Sequence, residues 1–226
     1  MKVITYATHS YGKFDEIIGN PYGVNVNVIG FGTKWGGFMD KIHGVLKYLG
    51  GLPDNEIVVF IDGFDSEIQK PLDGLEEKFK SFKCGVLLSK EVENLPKVLQ
   101  YTNHKIYGTC KNKVQANSGM YMGTVEYLKM FLGNVLVEKS NDDQRNFNTV
   151  CSRFDWLKID IENEIFFNYN YYSKSKTPEG VYFVSYPGTP SLSRTSRVLV
   201  EYYGFFIREI SLVLLVAALI LFMWRM

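Results

Sequence analysis

Residues 56–65 read EIVVFIDGFD, and this stretch decides the fold. Its continuous apolar run is typical of a strand that is buried on both faces of a parallel sheet. The run ends in Asp62, and a second carboxylate, Asp65, follows three residues later. Because ligands and metal ions of open α/β sheets bind at the carboxyl ends of the strands, the stretch predicts a central strand that leads into an acidic turn at a binding edge.

The segments on both sides of this strand alternate between apolar runs and helical periodicity. Further strands are predicted over residues 3–6, 24–31, 84–89, 118–123, 156–161 and 181–185. Helices are predicted over residues 38–49, 72–82, 125–137 and 142–151. Such alternation is typical of an α/β fold with a mostly parallel sheet that helices flank on both faces.

The composition of the 226 residues narrows the class of protein. The 25 Lys and Arg side chains nearly balance the 24 Asp and Glu side chains, which gives a net charge of +1. This balance provides no basic stripe for nucleic-acid phosphates, so no nucleic-acid partner is expected. The three cysteines, Cys84, Cys110 and Cys151, are expected to be free thiols in a reducing compartment, although a single disulfide is left open.

The C-terminal end differs from the rest of the chain because residues 210–224, ISLVLLVAALILFMW, carry no charge. This run alone would form a helix of roughly 22 Å, which is shorter than the hydrocarbon core of about 30 Å. Extended back to Tyr202, it predicts one C-terminal transmembrane helix over 202–226, after a linker over 191–201 and a single domain over 1–190. The alternative is a buried core helix, against which the fully apolar circumference argues.

The charges around this segment predict its orientation. Arg194, Arg197 and Arg208 precede it, and Arg225 follows it. Because the more basic flank stays on the cytoplasmic side of a membrane, the sequence predicts a single-pass membrane protein whose N-terminal domain is cytosolic.

Asp62 and Asp65 are the candidate metal ligands. Two carboxylates on one turn can both face a hard divalent cation such as Mn²⁺ or Mg²⁺, which would also bridge a diphosphate. Neutralising a departing nucleotide diphosphate is what a sugar-transfer reaction needs most. The alternative is an Asp-Gly turn whose second aspartate is solvated.

Two further polar clusters follow the acidic turn along the chain. Asp142 and Asp143 stand at the start of a predicted helix, where an acidic residue also serves as an N-cap. One of these carboxylates is predicted to face the sugar and to orient an acceptor hydroxyl. Asn117, Ser118 and Gly119 are short enough to admit a sugar close to a strand edge, although a plain turn explains them equally well.

The motifs also occur in a particular order along the chain. From the N-terminus they read VITYAT (3–8), KWGG (34–37), VVFIDGFD (58–65), NSGMYMG (117–123), NDDQ (141–144) and SYPG (185–188). This order resembles the glycosyltransferase domain of procollagen lysyl hydroxylases and their viral relatives over roughly residues 1–190. The resemblance implies a GT-A-like (Rossmann-like) fold, a UDP-sugar donor, Mn²⁺ and an acceptor hydroxyl on a protein or glycan.

The resemblance also implies roles for individual residues. Asp62 and Asp65 would bind the metal ion. Asn117 and either Asp142 or Asp143 would face the sugar. The donor site would be lined by segments that contain Thr5, Thr8, Trp35, Lys41 and, where a ring stacks on the base, Phe64.

Two departures from the family pattern bear on activity. Phe64 stands where the family has a tyrosine, which removes a hydroxyl contact, and Ser185 stands where the family has a histidine that completes the metal site. The leading hypothesis is a metal-dependent transfer of a hexose from a UDP-sugar, and the alternative is a catalytically impaired sugar-nucleotide-binding or scaffold protein. A phosphatase with Asp62 as nucleophile is weaker, because Phe64 occupies the position where a second aspartate is needed.

Overall fold

The computed structural model describes residues 1–93, 95–188 and 203–224. Met1–Gly188 form one compact unit, and residues 203–224 belong to a second unit. The predicted linker, residues 191–201, lies outside the described residues. The predicted domain boundary at residue 190 therefore stays a prediction.

Two sheets and seven α-helices make up the described parts of the chain. The central sheet contains β1 (Lys2–Tyr6), β2 (Val26–Ile29), β3 (Ile57–Asp62), β5 (Val86–Lys90), β6 (Ala116–Thr124) and β7 (Leu157–Asp160). The smaller sheet contains β4 (Ser66–Ile68), β8 (Phe166–Asn168) and β9 (Phe183–Ser185). The helices are α1 (Phe14–Ile18), α2 (Met39–Leu49), α3 (Leu75–Ser81), α4 (Lys97–Tyr107), α5 (Val125–Leu136), α6 (Asp143–Val150) and α7 (Ile207–Trp224).

The strands of the central sheet lie in the order β2-β1-β3-β6-β5-β7. Five of them are parallel to one another, and β6 runs antiparallel to its neighbours β3 and β5. The predicted α/β fold with a mostly parallel sheet and flanking helices is thereby confirmed. Because β6 is reversed, its first half lies beside the end of β3, with Met120 opposite Ile61.

The apolar run of β3 serves two hydrophobic cores. Val58 and Phe60 belong to the core that includes residues of α2, α5 and α6. Val59 and Ile61 belong to the core that includes residues of α3 and the smaller sheet. Successive strand residues face opposite sides of a sheet, so a strand covered on both faces must be apolar at every position, as the sequence indicated.

Four short or weakly patterned elements are not predicted by the sequence. The strands β4 and β8 contain three residues each, which is too short to produce an alternating pattern. The helix α1 has five residues, and α4 has a single buried residue, Ile106, so neither presents a recognisable apolar face. Of the smaller sheet, only β9 falls within a predicted strand.

A disulfide joins Cys110 to Cys151, and Cys84 is free. The prediction of free thiols is therefore wrong for two of the three cysteines. The bonded residues are 41 positions apart in sequence, but their Cα atoms lie 5.8 Å apart, within the range that a disulfide spans. The bond links the segment before β6 to the end of α6, and this proximity arises only in the folded chain.

The helix α7 lies within the predicted C-terminal helix. Its 18 residues correspond to about 27 Å, and Arg208 and Glu209 stand in its first turn. Among the residues that the structure describes, no helix is both long and apolar enough to cross a membrane. The predicted transmembrane helix is therefore not supported.

Asp160 ends β7 and is fully buried. Its Oδ1 atom accepts a hydrogen bond from the backbone N–H of Glu164 at 2.9 Å. Its Oδ2 atom accepts two more, from the backbone N–H groups of Ile165 at 2.8 Å and Phe166 at 2.9 Å. Burial raises the pKa of Asp160, and these hydrogen bonds oppose the rise. The carboxylate thus fixes the turn that leads from the central sheet into β8.

Replacing Asp160 with Asn is expected to lower the free energy of unfolding by about 2 kcal/mol, because the amide presents N–H groups where only acceptors fit. The loss can be measured by urea denaturation. Asp155, which is exposed, provides the control, and Asp155→Asn should change the stability by less than about 0.5 kcal/mol. Equal stabilities of the two variants would contradict the structural role of Asp160.

Candidate active site

The acidic turn begins at Asp62, the last residue of β3. Asp62 Oδ1 accepts a hydrogen bond from the backbone N–H of Phe64 at 3.2 Å, which closes the turn. Gly63 lies against β1, where a Cβ atom would come within 2.8 Å of the Tyr6 carbonyl oxygen and 2.9 Å of the Thr5 hydroxyl oxygen. Only glycine allows this approach, so the packing of the turn against β1 fixes the position of Asp62.

Asp65, the second carboxylate of the turn, is held by the smaller sheet. Its Oδ1 atom accepts a hydrogen bond from the Ser185 hydroxyl at 3.0 Å. Its carbonyl oxygen accepts another from the backbone N–H of Tyr186 at 2.7 Å. The serine that stands where the resemblance places a histidine is therefore buried in direct contact with a predicted metal ligand.

The second acidic pair, Asp142 and Asp143, lies at the beginning of α6, and its members have different environments. Asp142 is the N-cap, and its Oδ1 atom accepts a hydrogen bond from the backbone N–H of Arg145 at 2.8 Å. Asp143 is 3% exposed, and its Oδ2 atom lies 2.7 Å from Nζ of Lys41. Asp142 is therefore the N-cap of the alternative interpretation, whereas Asp143 forms an ion pair with Lys41.

Lys41 of α2 joins the two acidic clusters. Its Nζ atom lies 3.5 Å from Asp62 Oδ2 in addition to its contact with Asp143, and the residue is 8% exposed. Burial alone would lower the pKa of Lys41, but the negative charges of Asp143, Asp62 and Asp65 outweigh this effect. The pKa is therefore raised, and Lys41 is an ammonium ion at neutral pH. Predicted metal-binding and sugar-facing residues meet at this cation.

Asn117 is held in place by Glu91, a residue that the sequence motifs do not single out. Asn117 Nδ2 donates to Glu91 Oε2 at 2.9 Å, and Gln144 Nε2 donates to the same oxygen at 2.6 Å. Asn117 Oδ1 accepts a hydrogen bond from the backbone N–H of Gly119 at 2.7 Å. Glu91 directly follows β5, so its place at the carboxyl end of a strand is the feature that could have identified it.

Thr5 and Thr8, which the resemblance assigns to the donor site, lie at the carboxyl end of β1 and just after it. The Thr5 hydroxyl donates a hydrogen bond to the Ile61 carbonyl oxygen at 2.8 Å, and its side chain is fully buried. The Thr8 hydroxyl lies 2.9 Å from Nδ1 of His9. Thr5 thus joins β1 to β3 beneath the acidic turn, and contact of either threonine with a donor stays a prediction.

Aromatic rings surround this end of the sheet. The Phe64 ring lies 5.5 Å from the His9 ring and 5.8 Å from the Tyr11 ring, measured between centroids. The rings of Trp35 and Phe38 lie 5.9 Å apart, and both residues are 43% exposed. Accessible ring faces of this kind are suited to stacking on a base or a sugar.

The donor atoms around the acidic turn suit a hard cation. They are oxygens: the carboxylates of Asp62 and Asp65 and the hydroxyl of Ser185. A cation such as Mg²⁺ is often bound by one or two carboxylates when substrate phosphates provide further ligands. Within residues 1–93, 95–188 and 203–224, no group of three His, Cys, Asp or Glu side chains is placed to hold a metal ion. Metal binding at the acidic turn therefore stays a prediction.

Comparison with known proteins decides the family. Residues 1–177 match the sequence profile of the PLOD GT domain, which is more than half of the chain. The chain belongs to the PLOD GT domain family. A procollagen-lysine,2-oxoglutarate 5-dioxygenase from Drosophila melanogaster is 30% identical over 186 residues, which cover 74% of this chain and 25% of the relative. The chain thus spans about a quarter of that relative's length.

The PLOD GT match confirms the predicted family and supports a glycosyltransferase function. It covers the acidic turn, Lys41 and the beginning of α6, whereas Ser185 lies beyond its last matched residue, 177. The residues that meet at Lys41 are therefore all within the matched part of the chain.

Replacing Lys41 with Met is expected to lower the free energy of unfolding by about 3 kcal/mol, because the buried Asp143 carboxylate loses its cation. Adding Asp143→Asn should restore part of this loss, with a coupling energy of at least about 1 kcal/mol in a double-mutant cycle followed by urea denaturation. Lys41→Arg, which keeps the charge, is the matched control. Strictly additive losses would show that the two residues are not coupled.

Proposed function

We propose that this chain transfers a hexose from a UDP-sugar to a hydroxyl group of a protein or glycan. The observation that carries the proposal is the position of Lys41, whose ammonium lies between Asp62 of the acidic turn and Asp143 of α6. Residues suited to a metal–diphosphate and residues suited to a sugar are therefore adjacent, as a reaction at the bond between sugar and diphosphate requires. Membership of the PLOD GT domain family supports the same conclusion.

Asp62 and Asp65 would hold the divalent cation, Mn²⁺ or Mg²⁺, through their carboxylate oxygens. A bound cation supplies charge neutralisation for the departing nucleotide diphosphate. Ser185 orients Asp65 through its hydrogen bond. Because a hydroxyl is a poor substitute for an imidazole ligand, the affinity for the cation should depend strongly on the oxygens of the donor.

Lys41 contributes a positive charge that does not depend on a cation. Its ammonium is held by two carboxylates and is largely excluded from bulk water. A charge fixed in this way can stabilise negative charge on a leaving group with little reorganisation. The ring of Phe64, which lies between Asp62 and Asp65 in the sequence, offers a surface on which the base of the donor can stack.

On the sugar side, Asp143 and Asn117 would orient the reacting groups. A carboxylate can accept a hydrogen bond from an acceptor hydroxyl and so increase its nucleophilicity. Asp142 is the N-cap of α6, whereas Asp143 contacts Lys41, which also contacts Asp62, so Asp143 is the stronger candidate for this role. The amide of Asn117, oriented by Glu91 and Gly119, can hydrogen-bond a sugar hydroxyl.

A second candidate function is a sugar-nucleotide-binding protein with impaired transfer. The contact between Ser185 and Asp65 favours it, since the family pattern puts a histidine ligand in the place of this serine. Such a protein would bind a UDP-sugar without turning it over.

Release of UDP from a panel of UDP-hexoses, measured with the purified full chain with and without Mn²⁺, tests both candidates. For the transferase we expect metal-dependent release from at least one donor, and Asp62→Asn should slow it about 100-fold or more. Asp155→Asn is the control for a surface carboxylate and should leave the rate unchanged. Calorimetric binding of a donor without UDP release would favour the second candidate. If the chain neither binds a donor nor releases UDP, the proposal is refuted.

A further inference from the structure

The smaller sheet ends in a row of three polar side chains beside the acidic turn. Ser66 of β4 and Asn168 of β8 are each in register with Ser185 of β9. Residues in register point to the same face of a sheet, and these three form the polar row. All three are buried, with exposures of 0%, 5% and 1% respectively.

The adjacent row of the same sheet is apolar. Two residues away along the strands, Ile68, Phe183 and Phe166 are in register and belong to a hydrophobic core. The polar row therefore lies on the face of the sheet that packs into the hydrophobic core, and it is not exposed to solvent. Buried polar side chains in such a position require partners.

Two oxygens of the polar row, Ser66 Oγ and Asn168 Oδ1, have no hydrogen-bond partner among the described residues. Asn168 Nδ2 donates to the carbonyl oxygen of Lys90 at 2.7 Å, which fixes the amide and directs Oδ1 away from that carbonyl. A buried oxygen without a partner destabilises the fold. The orientation of Asn168 is thus fixed by one hydrogen bond that leaves its acceptor oxygen unused.

The polar row contacts the acidic turn through Ser185. The Ser185 hydroxyl donates to Asp65 Oδ1 at 3.0 Å, and the neighbouring strand that carries Asn168 lies about 4.8 Å away. Carboxylate, amide and hydroxyl oxygens bind hard cations at about 2.0–2.6 Å. Ser185 is thus the neighbour of Asn168 across the strand pair and at the same time the direct partner of Asp65.

We propose that Asn168 Oδ1 is a ligand of the divalent cation that Asp62 and Asp65 hold. The inference rests on the proposed function, since it concerns the same cation. It explains how the site can complete its coordination although the described residues place no third His, Cys, Asp or Glu side chain there. An all-oxygen set of this kind selects Mn²⁺ or Mg²⁺ over softer metals.

Binding of Mn²⁺ to the full chain without nucleotide tests this ligand directly. Free Mn²⁺ is measured by electron paramagnetic resonance during a titration. Asn168→Ala should weaken binding about 10-fold or more, because it removes a ligand oxygen. Asn168→Asp keeps an oxygen in the same place and adds a negative charge, so it should bind Mn²⁺ at least as tightly as the unchanged chain.

Asn170→Ala is the matched control. Asn170 is also 5% exposed, and its Nδ2 atom also donates to a backbone carbonyl, that of Glu93, at 2.6 Å. Its Oδ1 atom, however, already accepts hydrogen bonds from the backbone N–H groups of Tyr172 and Ser173, at 2.8 and 3.1 Å. Asn170→Ala should therefore change the Mn²⁺ affinity less than about twofold.

Circular dichroism and urea denaturation establish that each variant is folded before its affinity is compared. The inference is overturned if Asn168→Ala binds Mn²⁺ as tightly as the unchanged chain. It is also overturned if Asn168→Asp loses Mn²⁺ affinity to the same extent as Asn168→Ala. Asp62→Asn separates the two proposals. If Asp62→Asn loses Mn²⁺ and Asn168→Ala does not, the inference fails and the proposed function stands. If the unchanged chain binds no Mn²⁺ even after UDP is added to the titration, the metal dependence of the proposed function fails as well.

Discussion

The candidate site depends on one buried ammonium group between the carboxylates of two different elements. A lysine that is 8% exposed needs negative neighbours, and carboxylates brought to one edge of a sheet need a positive charge between them. Lys41, Asp62 and Asp143 meet both needs at once. The helices α2 and α6 must therefore keep their positions beside β3 for the charges to remain paired. The arrangement of the site and the stability of the fold have this electrostatic cause in common.

The sheet topology brings the remaining polar groups to the same edge. Because β6 is antiparallel to β3 and β5, Asn117 near its beginning lies opposite Ser89 near the end of β5, and Met120 lies opposite Ile61 near the end of β3. The smaller sheet reaches this edge through the contact of Ser185 with Asp65. A reversed strand and a three-stranded sheet thus add oxygen-bearing side chains to a place where parallel strands alone would supply only their last residues.

The sequence predicts those parts of the structure that depend on neighbouring residues in the chain alone. Residues 56–65 could be interpreted because a strand between two cores is apolar throughout and ends at the binding edge. The roles of Asp142 and Asp143 could not be separated, since both fit a helix N-terminus and only the contact with Lys41 distinguishes them. The polar row depends on pairing between segments that are far apart in the chain, and no local pattern records such pairing.

The Cys110–Cys151 bond makes the covalent structure depend on the surrounding thiols. It cross-links the end of α6, the helix that begins with Asp143, to the segment before β6. Burial raises the pKa of the Cys84 thiol to about 11, so very little nucleophilic thiolate is available from it at neutral pH. Internal disulfide exchange is disfavoured for this reason. An external thiol must therefore open the cross-link, and the burial of Cys110 and Cys151 restricts its access to the bond.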